Sequence, residues 1–274
     1  MRKLILAALP TALFALLAFG LADRGGATPE TGLLPDLRTV VPLHLQLVHQ
    51  QQSDKLRFSN GVANTGPGPM ALRPEPPPGE ATTQTTAVQE IRDSNALDKC
   101  GEERPGDPCF NVESERVAGT FVFHPEHNHW HIGAVALFQI RRGSPTGPIV
   151  GNNTIKTTFC LIDWYALEGN SSTSDRTFWE CQTGYQGIQS GWVDQYHQSL
   201  PGQELDLTGV PNRNDYYLVS TANPDGIFME TTTTNNTAWV KFRLFTQGNG
   251  RAVEVTAHSP CSTPGLCGVG APGR

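Results

Sequence analysis

The sequence has no excess of positive charge. It contains 20 lysine and arginine residues against 26 aspartate and glutamate residues, which gives a net charge of −6. Residues 1–22 include two cations and no acidic residue, so the chain without them has 18 cations against 26 acidic residues, a net charge of −8. Binding to nucleic-acid phosphates needs the opposite sign, so no nucleic-acid partner is expected. An acidic surface instead favours cationic partners, amines among them.

Long amphipathic helices are also lacking, because no long stretch after residue 22 keeps a helical periodicity. The 28 glycines and 21 prolines separate short runs rich in β-branched, aromatic and apolar residues. This pattern predicts a mostly β protein, an antiparallel β-sandwich with long functional loops. Two local exceptions are expected: a short helix near Thr86–Arg92 and a proline-rich loop over residues 73–80.

The N-terminus has the pattern of a secretory signal. Arg2 and Lys3 precede the apolar run Leu4–Leu21, and Gly20-Leu21-Ala22 offers a cleavage site between small residues. The run is long enough for an uncleaved membrane anchor, although Pro10 and the small residues at its end favour cleavage. The expected organisation is a signal peptide (1–22), a flexible lead (23–33), one domain (34–247) and a Gly/Pro-rich tail (248–274). We therefore expect a secreted protein without a membrane partner after cleavage.

No Cys-x-x-Cys motif is present, which argues against thiolate metal binding. The six cysteines form an even set, and an exported chain with such a set is expected to contain disulfides. Six cysteines allow fifteen pairings, and the sequence alone does not select one. Pairing of nearest neighbours is the simplest: Cys100–Cys109, Cys160–Cys181 and Cys261–Cys267, the last within the tail.

Histidine is concentrated in one segment, since four of the eight histidines lie in residues 124–131. The flanks on both sides are typical of strands, and side chains along a strand alternate between its two faces. His127, His129 and His131 would then share a face, so three imidazoles could converge on one ion and leave a position open. Imidazole suits copper, zinc, iron and nickel. The alternative is an adventitious histidine-rich tract, but the apolar flanks indicate a segment that belongs to a folded core.

Several motifs resemble those of the lysyl oxidase family, the copper-dependent amine oxidases of the extracellular matrix and their bacterial relatives. The resemblance runs with gaps from about Leu34 to Leu244. It rests on four motifs: His124-x-x-His127-x-His129-x-His131; Lys156-Thr-Thr-Phe159-Cys160-Leu161; Trp192-Val-Asp194-Gln-Tyr196; and Asn223-Pro with Glu230 and Asn235-Asn236. Turn formation is the simplest role for these asparagines.

The resemblance implies a copper ion held by His127, His129 and His131. It also implies a lysyl tyrosylquinone cofactor that the protein makes from Lys156 and Tyr196. Such a protein oxidises primary amines, peptidyl lysine among them, to aldehydes with molecular oxygen and releases hydrogen peroxide and ammonia. Asp194 is the candidate base that removes the substrate's α-proton. His124 is expected to orient a ligand and not to bind the metal directly.

The chain also departs from the family. Animal members have a cysteine in the histidine segment, where Glu126 stands here, and a further cysteine soon after the Phe-Cys-Leu motif. Because Cys160 and Cys181 would otherwise each lack a partner, the comparison implies that they pair with each other. Two functions compete with the oxidase: a non-catalytic secreted module that binds copper or zinc, and a β-sandwich binding domain whose histidines hold a structural ion.

Overall fold

The computed structural model describes residues 32–50, 53–93, 112–168 and 176–268, without the side chains of residues 152–156. Within these ranges it contains fifteen strands: β1 (Leu37–Thr39), β2 (Leu43–His49), β3 (Asp54–Asn64), β4 (Met70–Glu75), β5 (Gln84–Arg92), β6 (Val112–His124), β7 (His129–Arg142), β8 (Ile149–Phe159), β9 (Tyr165–Ala166), β10 (Gln186–Ile188), β11 (Trp192–Tyr196), β12 (Glu204–Asp206), β13 (Arg213–Ala222), β14 (Thr237–Gln247) and β15 (Gly250–His258). The signal peptide, nearly all of the flexible lead and the Cys100–Cys109 pair lie outside the described residues.

The strands form two sheets. The smaller has six strands in the order β1-β3-β11-β9, with β2 and β12 also paired to β3. The larger has nine strands in the order β10-β4-β5-β6-β7-β13-β14-β15, with β8 paired to β7. The strand pairs between β4 and β7 and those around β3 are antiparallel, so the predicted antiparallel β class is confirmed.

One hydrophobic core joins the sheets. Phe58 of β3 and Phe138 of β7 are fully buried, and their ring centroids lie 4.8 Å apart in an edge-to-face contact. Strand β14 shows how the sequence produces this arrangement, because Val240, Phe242 and Leu244 are buried while the residues between them are partly exposed. Period-two alternation thus turns one face of the sheet towards the core.

Two local predictions outside the histidine segment were wrong. Residues 84–92 form β5 and not a helix, since β5 is paired on both sides, with β4 and with β6. The predicted loop at 73–80 begins later, because β4 continues through Pro74 to Glu75. In both cases cross-strand pairing outweighed a local composition that favoured another structure. The predicted tail contains a strand, since residues 250–258 form β15 alongside β14.

Asn60-Gly61 has the composition of a turn but lies inside β3. A Cβ atom on Gly61 would lie 3.0 Å from the backbone oxygen of Asp194 and 3.0 Å from the side chain of Val193. The missing side chain therefore allows β11 to lie close to β3. This contact sets the position of the strand that carries Asp194 and Tyr196.

None of the described residues belongs to a helix that is long and apolar enough to span a membrane.

Candidate metal centre

The histidine segment is a β-hairpin and not a continuous strand. Strand β6 ends at His124 and β7 begins at His129, with a turn between them. The backbone N–H groups of His127 and Asn128 donate to the carbonyl of His124 at 3.1 and 2.8 Å, and Asn128 adopts a left-handed φ of 55° that asparagine tolerates. The strand prediction at His127 was therefore wrong, although the chain reversal still brings this residue to the others.

Three histidines converge in this hairpin. One nitrogen each of His127, His129 and His131 can be chosen so that all three lie within 4.8 Å of one another. The Nε2 atoms of His129 and His131 are 2.9 Å apart. His131 is buried, His129 is half-buried and His127 is exposed. The cluster therefore has a closed side, formed by the core, and an open side at the turn.

Burial keeps two of these histidines neutral. Burial, with smaller contributions from the nearby imidazoles of His124, His129 and His127, lowers the pKa of His131 to about 3. Burial also lowers the pKa of His129, with smaller contributions from His127 and His124. Neutral imidazole is the form that binds a metal, so this pair is ready to coordinate an ion at neutral pH.

His124 and Thr158 support the cluster without belonging to it. The His124 ring stacks on His131 with centroids 4.1 Å apart. Thr158, on β8, places its Oγ1 3.1 Å from Nδ1 of His131. Because Nε2 of His131 faces His129, the Nδ1 side is left for this hydrogen bond, which holds the ring orientation. Sequence reasoning did not identify Thr158, although it lies two residues after Lys156 in a family motif.

Tyr196 is held by the backbone of Cys160. Its hydroxyl donates to the Cys160 carbonyl at 2.9 Å and accepts from the Cys160 N–H at 2.8 Å. Its ring packs on Phe159 with centroids 4.1 Å apart. Tyr196 is therefore fixed at both its ring and its hydroxyl.

A disulfide connects this tyrosine to the histidine strand. Cys160 is bonded to Cys181, with Cα atoms 5.8 Å apart. The carbonyl of Cys181 accepts from the N–H of Trp130 at 3.1 Å, and Trp130 stands between His129 and His131. Gln186 adds a second link, since its side chain accepts from the N–H of Leu161 and donates to the carbonyl of Trp130. The structure also contains the Cys261–Cys267 disulfide.

Asp163 anchors the neighbouring segment. One carboxylate oxygen accepts from the backbone N–H groups of Thr177 and Phe178 at 2.9 and 2.8 Å, and the other accepts from Gln189 at 2.7 Å. Burial raises the pKa of Asp163 to about 6 against the opposing effect of these donors. Sequence reasoning missed Asp163 because no local pattern marks it.

The four histidines of the hairpin and Tyr196 line one cavity of about 620 Å³. This volume is typical of sites for small molecules. We call it the histidine cavity. It is also lined by Thr157, Thr158, the Cys160–Cys181 disulfide, Glu126, Ile162, Trp179, Glu180, Gln182 and residues 200–203.

Of the two remaining residues that the family motifs predict for the site, only Asp194 can be placed relative to this group. Asp194 is buried on β11, with 1 % of its surface exposed, and is not among the residues that line the cavity. Lys156 pairs through its backbone with Leu137 of β7, and its side chain lies outside the described part of the molecule. The structure thus assembles the histidines and Tyr196 and does not bring Asp194 to the cavity.

The asparagine–glutamate motif serves another part of the fold. Glu230 accepts hydrogen bonds from the side chains of Asn223 and Asn236 at 2.6 and 2.8 Å and from the N–H of Leu37 at 2.9 Å. Asn223 has a left-handed φ of 45°, in keeping with its predicted turn role. Asn235 instead reaches Asp36. We call Glu230 with Asn223, Asn236 and Leu37 the Glu230 network.

Fold and site together define a β-sandwich protein with a candidate three-histidine metal centre. The sequence model of the lysyl oxidase family matches residues 109–254, more than half of the chain. The chain belongs to the lysyl oxidase family. No curated protein matches it.

Proposed function

We propose that the protein is a secreted, copper-dependent oxidase of primary amines. It would convert them to aldehydes with molecular oxygen and release hydrogen peroxide and ammonia. The observation that carries this proposal is the meeting of three histidine nitrogens and Tyr196 on one cavity. Membership in the family indicates the reaction class, and the cavity is where the reaction would occur.

The residues fit a copper ion. His127, His129 and His131 are nitrogen donors that suit copper, and the open side of the cluster leaves room for a further ligand. The same donors also suit zinc. When bound, copper and oxygen would supply the oxidising chemistry that converts Tyr196, with Lys156, into the quinone cofactor.

The protein's own groups have defined tasks in this proposal. Thr158 orients His131, and the backbone of Cys160 holds the Tyr196 hydroxyl until the ring is modified. The apolar wall formed by Phe159 keeps that ring in place. The burial of Asp194 and its absence from the cavity wall favour a structural role over that of base, so the base assignment stays a prediction.

Secretion and the choice of partners are part of the same proposal. The Cys160–Cys181 and Cys261–Cys267 disulfides agree with an oxidising compartment. The N-terminal apolar run provides a route for export. The proposed partners are primary amines, including lysine side chains of proteins, and molecular oxygen.

The decisive experiment is mass mapping of peptides from protein matured with copper in air. The expected result is a covalent link between the peptides of Lys156 and Tyr196, together with peroxide release when an amine is added. Tyr196→Phe is the matched control, because it keeps the ring against Phe159 and removes the hydroxyl. This variant should bind copper normally and form no link. If copper-loaded wild-type protein contains both peptides unmodified, the oxidase proposal fails and the metal-binding module becomes the better account.

A further inference from the structure

Gln203 carries a buried carboxamide oxygen without a hydrogen-bond partner. Only 1 % of the residue is exposed, and its Oε1 meets no donor within the described residues. Gln186, which is also buried, shows the usual arrangement, since its oxygen accepts from the N–H of Leu161 and its nitrogen donates to the carbonyl of Trp130. Burying an unpaired amide costs free energy, so such groups are rare in folded proteins and call for an explanation.

The backbone of Gln203 is held by hydrogen bonds on both sides. Its carbonyl accepts from the N–H of Phe58 on β3 at 3.3 Å, and its own N–H donates to the carbonyl of Leu200 at 3.3 Å. Strand β12 starts at the next residue and pairs with β3. The side chain therefore extends from a fixed point at the edge of β3.

Pairing along β3 places Gln203 beside Tyr196. Tyr196 lies opposite Asn60 on β3, and extending the register of β12 by one residue places Gln203 opposite Phe58. Phe58 and Asn60 are two residues apart, so they point to the same face and lie about 7 Å from each other along the strand. Because opposite residues of a strand pair share a face, Gln203 and Tyr196 also share one. Both line the histidine cavity.

The histidine cavity contains a second oxygen of this kind. Oγ1 of Thr157, on β8, is buried without a hydrogen-bond partner among the described residues, and Thr157 also lines the cavity. Strand β8 lies close to β12, so the two oxygens come from neighbouring strands. No described residue of the cavity wall is a lysine or an arginine. The described wall thus offers two acceptors without a cationic donor.

A primary amine has the hydrogen-bonding groups that fit these oxygens. It is protonated at neutral pH, and an alkylammonium group has three N–H donors and no acceptor. Hydrogen bonds from a charged donor are stronger than those between neutral groups. An ammonium group bound to Oε1 of Gln203 would lie next to Tyr196, the ring at which the proposed reaction takes place.

We propose that Gln203 binds and positions the substrate. Its Oε1 accepts a hydrogen bond from the primary ammonium group and holds that group beside Tyr196, with Oγ1 of Thr157 as a second acceptor. This inference deepens the proposed function and rests on it for the later oxidation of the amine. Binding of the amine itself needs no oxidation, so the two proposals can fail separately.

Calorimetric titration with pentylamine tests the contact. Zinc-loaded protein is used, because zinc suits the same histidines and has no redox chemistry. Gln203→Met keeps the length of the side chain and removes the acceptor, so the dissociation constant should rise about tenfold. Gln203→Glu keeps an oxygen at this position and should bind pentylamine at least as tightly as the wild type does. Equal affinities of the wild type and Gln203→Met, or weaker binding by folded Gln203→Glu, would overturn the proposal.

Thermal unfolding separates a ligand contact from a structural role. Gln203→Met should unfold at the same temperature as the wild type or at a higher one, since it removes an unpaired buried amide. A clearly lower unfolding temperature together with weaker binding would show that Gln203 supports the fold. That result would also overturn the proposal.

Gln198→Met is the matched control. Gln198 lies in the same loop, and its Oε1 is likewise buried without a described partner, but the residue does not line the histidine cavity. Its substitution should leave the dissociation constant for pentylamine unchanged. Equal losses of affinity in Gln198→Met and Gln203→Met would point to a general effect of the loop and contradict a direct contact.

Peroxide release from copper-matured protein is measured in parallel with pentylamine. Gln203→Met should raise KM about tenfold and change kcat less, as expected for a group that binds the amine. Weaker binding by zinc-loaded Gln203→Met, with no peroxide from the copper-matured wild type, would keep the contact and reject the oxidase. Peroxide release with the same KM and the same dissociation constant in both proteins would keep the oxidase and reject the contact.

Discussion

The histidine cavity and the Glu230 network are both built from family motifs, but they differ in whether their polar groups have hydrogen-bond partners within the protein. In the network, both carboxylate oxygens of Glu230 accept hydrogen bonds from protein donors. In the cavity, imidazoles meet one another, and the carboxylates of Glu126 and Glu180 have no described partner. Polar groups that satisfy one another hold a fold together. Polar groups that converge without partners mark a place for a ligand.

This contrast predicts that damage to the cavity will affect metal binding, whereas damage to the network will affect stability. The strongest test is His129→Ala. Removing one ligand should weaken metal binding by about 3 kcal/mol, or at least ~100-fold, if the 10–16 kcal/mol typical of zinc sites is shared among four ligands. Competition titration with copper measures this loss. Thermal unfolding of the metal-free variant should stay near that of the wild type, and a collapse of the fold would contradict the assigned role.

The disulfide between Cys160 and Cys181 contributes both to stability and to the site, because it stabilises the chain and links Tyr196 to the histidine strand. The double variant C160S/C181S should lose roughly 3 kcal/mol of unfolding free energy, as expected for a loop closed over 21 residues. Denaturant titration measures the loss. Cross-link formation should fall more than copper binding does, since Tyr196 contacts Cys160 directly. Equal losses of both would contradict a specific link to the tyrosine.

Glu230→Ala should lower stability and leave metal binding unchanged. It leaves the donors of Asn223, Asn236 and Leu37 without their acceptor, a loss of about 2–3 kcal/mol of stability. The unfolding temperature should fall, and copper affinity measured below that temperature should not change. Glu230→Gln keeps one carbonyl acceptor and should lose less. A weakened metal site in folded Glu230→Ala protein would erase the distinction between the two regions.

The smallest expected effect is that of Thr158→Val, which removes the hydroxyl next to Nδ1 of His131. Loss of this orienting contact should weaken copper binding about tenfold, near the lower limit for groups that support a metal ligand. Thr158→Ser keeps the hydroxyl and should bind copper like the wild type. Equal affinities of the valine and serine variants would show that the contact does not orient the ring.

Local pattern predicted the strands better than it predicted their ends. Alternation of apolar and polar residues from Trp239 to Leu244 is typical of a half-buried strand, and this segment lies in β14. It failed at Thr86–Arg92, where a polar composition concealed a strand paired on both sides. It also failed at His127, since no regular pattern showed that the chain reverses at residues 125–128.

Residue types and spacing by themselves determined the β class, the histidine group and the resemblance to the family, since these depend on chemistry and periodicity along the chain. Tertiary structure decided which of these residues meet. Tyr196 reaches the histidine cavity because Gly61 lets β11 pack on β3 and because a disulfide joins Cys160 to Cys181. Thr158 and Asp163 acquire their roles in the same way. Contacts between residues distant in sequence depend on sheet pairing and packing, which no local pattern encodes.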